Sequence, residues 1–325
     1  MNRSIVLVSC LAAACASVPP EASVPGVAAA TPVASAPAAP AAMSFAEHAI
    51  DVPGFADFLA VDGDSVWATN DGRVERWSTT GKLASVEMPR PCGTMAMGFG
   101  SLWVANCKGG EVYRIDPDTA RVVATIPAGM GPSGELNVVV GAGSVWAPDQ
   151  TAGAISRIDP ATNRVTQTID VAPSTSYLAF GFEALWAVSG KARTLQRIDP
   201  ATNRVTHTLA LGEMPGFLAA GEGAVWVQEQ GDGTLARIDP ETVEVTGRVK
   251  VGDTLKWGDI DVGDGKVWLR TTEDQTFVVI DARTRAILAR VGRAEGSGAL
   301  RYTPEGVWTS AHDVHSLTWW TASGE

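Results

Sequence analysis

Four histidines, two cysteines in the body of the chain and a scatter of carboxylates are the groups able to do chemistry in this 325-residue sequence. His312 and His315, in Ala311-His312-Asp313-Val314-His315, are spaced so that both rings could reach one metal ion. Asp57, Asn137 and Asp259 offer hard oxygen ligands of the kind Ca²⁺ takes. Cys92 and Cys107 lack two further ligands nearby for a zinc site and read instead as a structural disulfide in an oxidising compartment. No P-loop, dinucleotide fingerprint, Gly-x-Ser-x-Gly elbow or His-Glu-x-x-His zinc motif is present. Whether any of these groups meet depends on the frame that carries them.

That frame is a repeat. Trp67, Trp103, Trp146, Trp186, Trp226, Trp268 and Trp308 share one context, an aliphatic strand, a Gly-rich two-residue turn, then Val or Leu before the indole. They are separated by 36, 43, 40, 40, 42 and 40 residues. Four are followed by Arg-Ile-Asp-Pro, at Arg114, Arg157, Arg197 and Arg237, with a weaker copy at Ile280-Asp281-Ala282. Each copy leads into a strand such as Arg164 to Ile169. One unit reads as strand A (Met95 to Met97), a hairpin at Phe99-Gly100, strand B around Trp103, strand C (Tyr113 to Ile115), a turn at Asp116-Pro117 and strand D (Arg121 to Ile126). Four antiparallel strands in about 40 residues make a propeller blade. Asp-Pro suits a type I turn and Gly suits the A–B hairpin. The expected fold is all-β, a seven-bladed β-propeller of four-stranded antiparallel blades.

The seventh blade has strands A, B and C but no D before Glu325. Glu47 to Val52 aligns with Thr166 to Val171, also just upstream of an A strand, so residues 44 to 52 are expected to close the ring as the outer strand of blade seven. Cys92 and Cys107 lie symmetrically about the Phe99-Gly100 turn and should face each other. His48 and His207 share a position on outer strand D and read as surface residues. The Arg of each Arg-Ile-Asp-Pro reads as structural. Asp261 and Arg301, at one repeat position in adjacent blades, suggest an ion pair between blades.

The pattern Gly-x-Gly-x-Val-Trp-Val followed by Arg-Ile-Asp-Pro-x-Thr resembles the exported YVTN-type propeller repeats and, more distantly, the NHL and streptogramin (virginiamycin B) lyase propellers. The resemblance covers residues 44 to 325 and rests on residues that build blades, so it implies fold and not activity. In the lyases it implies a catalytic His and Glu at the start of strand A, just after a Pro. The matching pairs here are Gly54-Phe55, Cys92-Gly93, Ser133-Gly134, Pro215-Gly216, Trp257-Gly258 and Ser297-Gly298, and none is His. Gluconolactonase-like propellers, another resemblance, hold a cation in a ring of acidic and Asn side chains.

In a propeller the D–A and B–C loops share the top face around the channel. The start of strand A therefore places Asp57, Phe58, Glu135, Asn137, Tyr177, Phe217, Trp257 and Asp259 near one mouth, with His312 in a loop on the same face. Asp57, Asn137 and Asp259 form the candidate Ca²⁺ set, while the aromatics suit either blade packing or ligand stacking.

The chain opens like an export signal: Met1-Asn2-Arg3, an apolar run from Ile5 to Ala14, then Cys15 in Leu11-Ala12-Ala13-Ala14-Cys15, which resembles a bacterial lipobox. Cys15 is the candidate for lipidation; Cys10 leaves too short an apolar segment, and a plain cleaved signal peptide is the alternative. Residues 16–42 hold eleven Ala, six Pro and one charge, Glu21, and read as a tether reaching up to roughly 80 Å. The expected organisation is residues 1–14 signal, 15–42 anchor and tether, and 43–325 propeller. Net charge is −11, all of it beyond residue 42, which excludes a nucleic-acid role. The sequence thus describes a periplasmic protein, anchored to the outer membrane by lipid alone and monomeric. Its expected role is a binding or scaffold module taking a small ligand, peptide or protein on the top face; the alternative is a metal-dependent lactonase or lyase.

Overall fold

The structure, a computed structural model, describes residues 43–323 apart from 132–133, 256–257, 272–273 and 295. The expected signal, Cys15 and tether lie outside the described residues, as does Trp257. Seven four-stranded antiparallel sheets form the ring. Blade 1 runs from strand A at Leu59–Asp62 to strand D at Gly81–Glu87, blade 2 from Ala96–Gly98 to Arg121–Pro127, and blade 3 from Val139–Gly141 to Arg164–Asp170. Blades 4, 5 and 6 start at Thr175–Gly181, Pro215–Gly221 and Ile260–Gly263. Blade 7 holds Leu300–Thr303, Gly306–Ala311 and Ser316–Ala322.

The N-terminal strand Phe45–Asp51 completes blade 7. It pairs antiparallel with Ser316–Ala322 over its whole length, from Phe45 opposite Ala322 to Asp51 opposite Ser316. Phe45 also packs edge-on against Phe277 at 5.4 Å, joining the closing strand to the core between blades 6 and 7. The first and last parts of the body thus share one sheet, in which Ser316–Ala322 is paired on both sides.

Strand B supplies the wedge between blades. All seven tryptophans are at most 3 % exposed, and each removes on the order of 200 Å² from water. In blades 2 to 6 the indole N–H donates to the carbonyl of the Gly ending strand A, for example Trp146 Nε1 to Gly141 O at 3.0 Å. That Gly is required by the neighbour: a Cβ on Gly141 would lie 2.1 Å from the Phe180 ring of blade 4, and one on Gly263 would lie 2.4 Å from the Tyr302 ring. The Phe99-Gly100 hairpin has φ of 54° and 67°, the left-handed pair a two-residue turn needs to follow the sheet's twist.

The Arg of the Arg-Ile-Asp-Pro marker is structural. The Arg114 guanidinium lies 5.0 Å over the Trp103 ring and donates to Ser101 Oγ and to Pro160 O of the next blade. Arg157 repeats this with Trp146, Ser144 and Pro200. Asp116 caps its turn by accepting from the Asp118 and Thr119 N–H groups, which lower its pKa. The expected ion pair forms differently. Arg301 bonds Asp259, not Asp261, whose carboxylate instead accepts the Tyr302 and Val262 backbone N–H groups. Asp261 still feels the Arg301 charge.

Cys92 and Cys107 are disulfide-bonded with Cα atoms 6.0 Å apart, across the pairing of Cys92 N–H with Ala105 O and Cys107 N–H with Arg90 O. The bond closes a loop with a sequence separation of 15, worth about 3 kcal/mol in a chain-entropy account. The Cys92→Ser/Cys107→Ser double variant should melt about 6 °C below the parent, read by circular dichroism. An unchanged melt would remove the bond's stabilising role.

Candidate functional site

Strand A and the loop before it aim side chains at the ring axis. Asp57 is held by its N–H to Thr69 O, and its carbonyl accepts the Ser310 hydroxyl of blade 7. The Phe58 N–H is capped by Thr69 Oγ1. Tyr177 and Phe217 project from the A strands of blades 4 and 5. Their rings are 4.4 Å apart, and Phe217 is 6.0 Å from Phe58 of blade 1. Blades 1 and 5 are not neighbours in a seven-membered ring, so the three rings meet across the axis and plug the channel.

Above this plug lies a cavity of about 350 Å³ lined by Asp57, Phe58, Glu135, Arg90 and the disulfide's Cys92. It shares Asp57, Phe58 and Glu135 with a cleft of about 70 Å³ that reaches Tyr177 and Phe217. The Tyr177 O–H donates to Glu135 Oε2 at 3.4 Å. Below the plug a chamber of about 260 Å³ is lined by Asn137, Asp259, Asp261 and Arg301.

The sequence-predicted residues therefore separate into groups. Asp57, Phe58, Glu135, Tyr177 and Phe217 converge at the mouth. Asn137 and Asp259 face the lower chamber with their oxygens engaged: Asn137 Oδ1 accepts the Thr94 N–H, and Asp259 accepts from Arg301 at 2.5 Å and from the Ile260 N–H. Each of these oxygens thus already accepts a hydrogen bond within the protein, whereas Asp57 lies at the mouth. Among the described residues, no cluster of three His, Cys, Asp or Glu side chains is placed to hold a metal. His312 sits at the rim in a short 3-10 turn, stacked on Phe55 with centroids 3.8 Å apart and beside Asp313. Burial pushes its pKa down, and the nearby Arg270 adds to this against the pull of Asp313. His315 Nδ1 lies 2.7 Å from Gly54 O.

Electrostatics single out Asp57. Burial, then repulsion from Glu135, Asp259 and Asp313, lift its carboxyl well above the ordinary value against the pull of Arg270, and no donor among the described residues meets the carboxylate. Glu135 is reached by solvent through the mouth but crowded by protein; that desolvation raises its pKa despite the Tyr177 hydrogen bond. Tyr177 is raised by burial and by Glu135, so it remains a phenol donor. Glu75 is the contrast. Burial raises it, but hydrogen bonds from Arg73, Asn70 and Lys82 outweigh this and leave it below the ordinary value.

Sequence reasoning missed a polar girdle two residues after the strand-B tryptophan. Thr69, Gln228, Arg270 and Ser310 occupy that position and tie neighbouring segments at the neck. Gln228 Nε2 donates to Asp259 O, and the Arg270 guanidinium donates to the carbonyls of Thr276, Gly296 and Ser310. The signal was present: polar side chains interrupt otherwise apolar strands at one repeat position.

Known proteins share this architecture. A repeat family of unknown function, DUF6923, matches residues 66–182, from strand B of blade 1 into blade 4. No curated protein matches the sequence. Among solved structures, virginiamycin B lyase from Staphylococcus aureus superposes with a TM-score of 0.74 at 16% identity over 86% of this chain and 99% of that one. A streptogramin B lyase gives 0.75 at 15% identity over 87% and 98%. Hydrazine synthase from Kuenenia stuttgartiensis gives 0.71 at 14% identity over 85% and 97%. At such identities the likeness is one of fold.

A raised folded-state pKa means that the native protein holds the Asp57 proton more tightly than the unfolded chain does. The associated stability is full below about pH 4 and is lost as pH rises through the raised value. Asp57→Asn should therefore melt about 2 °C above the parent at pH 8, with the gain gone by about pH 4. A gain independent of pH would contradict the strained-carboxyl assignment.

Proposed function

We propose that this chain is an exported, membrane-tethered binding module that takes a ligand carrying a positive charge on an apolar body at the upper mouth. The observation that carries the reading is the Asp57 carboxylate, with no partner among the described residues, beside Glu135 and above the floor of Phe58, Tyr177 and Phe217. A cation binding there relieves the repulsion between the carboxylates and gains ring-face attraction from the aromatics. A volume of about 350 Å³ suits a small molecule or the side chain of a peptide.

The alternative, a lactonase or lyase at the same mouth, has less support. The start-of-strand-A pairs that would carry the imidazole in a streptogramin lyase hold none in this sequence, and the oxygens of Asn137 and Asp259 are already bonded. Shape alone connects the chain to those enzymes.

Benzamidinium and its neutral isostere benzamide test the reading by calorimetry. Benzamidinium should bind saturably at roughly millimolar concentration, benzamide should not, and Asp57→Asn or Glu135→Gln should weaken binding about tenfold. Affinity should climb as pH rises from about 5 to 8, because only the ionised carboxyls attract the cation. Equal binding of both probes, or none of either, would refute it. Calcium that co-purifies with the protein and is lost on Asp57→Asn would favour the metal-dependent enzyme instead.

A further inference from the structure

The seam between blades 7 and 1 breaks the repeat on the face opposite the mouth. In blades 1 to 5 an arginine on strand C covers the strand-B tryptophan: Arg76, Arg114, Arg157, Arg197 and Arg237 lie 4.8 to 5.9 Å from the ring centroids. Arg76, Arg114 and Arg157 also donate to a turn carbonyl of the following blade. In blade 7 the residue opposite Trp308 is Trp319, and no arginine stands at that position. The two indoles are tilted at 42° with centroids 5.0 Å apart. The serine that meets the arginine in blades 1 to 3 is replaced by Gly306, where a Cβ would fall 2.7 Å from the Trp319 ring.

The substitution leaves a cavity of about 190 Å³ lined by both indoles, Thr79 and the carboxylates Asp64 and Glu305, one from the A–B hairpin of each blade. Neither carboxylate has an ion-pair partner among the described residues. Trp308 is 2 % exposed, yet its indole N–H has no acceptor among the described residues, whereas the other six strand-B indoles are all bonded. The turn carbonyl that an arginine of blade 7 would have met, Thr79 O, instead accepts from His48 Nε2 at 3.0 Å.

We propose that this seam cavity binds an arginine side chain of a polypeptide partner. The guanidinium lies in the cavity beside Trp319, which itself fills the place of the arginine in five other blades, against indole and facing Asp64 and Glu305, and a peptide carbonyl accepts the Trp308 N–H. A planar, weakly hydrated guanidinium suits a ring face better than a compact ammonium does. The site is independent of the mouth.

The test is a titration of the ¹⁵N-labelled protein, following the Trp308 and Trp319 indole N–H signals. N-acetyl-arginine methylamide should shift them saturably at roughly millimolar concentration, and the citrulline counterpart should not. Methylguanidinium, lacking the carbonyl, should bind several-fold more weakly. Trp319→Arg should abolish the response by filling the cavity from within, and Asp64→Asn/Glu305→Gln should weaken it about tenfold, which keeps the test decisive should the first variant fold poorly. A response to citrulline, or one that survives both variants, would overturn the assignment. Equal affinity for methylguanidinium would overturn the polypeptide source. Because the readout is local to the seam, failure here is distinct from failure of benzamidinium binding at the mouth.

Discussion

The pairing of Phe45–Asp51 with Ser316–Ala322 governs everything else in the molecule. Seven wedges of sheet point their inner strands at one axis only if the circle is shut, and the shutting strand comes from the start of the body while its partner comes from the end. The side chains at the mouth are contributed by blades 1, 3, 4 and 5 and have no local reason to meet. Their proximity is a consequence of closure, with the free energy supplied by indole wedges and backbone ladders far from the site.

The repeat explains why so much of the architecture could be read in the sequence. A tryptophan every 36 to 43 residues, a Gly five positions before most of them and an Asp-Pro turn after four each answer a packing demand that recurs at every blade, so the pattern is written several times. The disulfide partners were visible for the same reason, since a hairpin turn halfway between them fixes who faces whom. Functional groups enjoy no such redundancy. Asp57 and Glu135 were located by their place in the repeat, but their raised pKa values arise from burial at the mouth and then from the charges across the axis, which a linear period does not encode.

The same limit accounts for the residues that the structure places elsewhere. Asn137 and Asp259 share the start of strand A with the mouth residues, yet they face the chamber beneath the plug; a small difference in depth along the axis decides between the two, and a repeat of about 40 residues does not resolve it. Arg301 shares a repeat position with Asp261, but its guanidinium bonds Asp259, while the Asp261 carboxylate accepts two backbone N–H groups. Polar residues two places beyond the tryptophan, by contrast, are legible in the sequence as breaks in otherwise apolar strands. Departures from a repeat are the informative positions in such a chain: Asp57 with no donor among the described residues, Trp319 where five blades have arginine, Gly306 where three have serine.

The tilted rings of Phe58, Tyr177 and Phe217 have a functional corollary. With its bore stoppered, the toroid is two back-to-back cups and not a pipe. Traffic through the middle is barred, and a guest in the upper cup never encounters one in the lower. The rings part the guests but not the charges, since Asp259 below still repels the Asp57 carboxyl above.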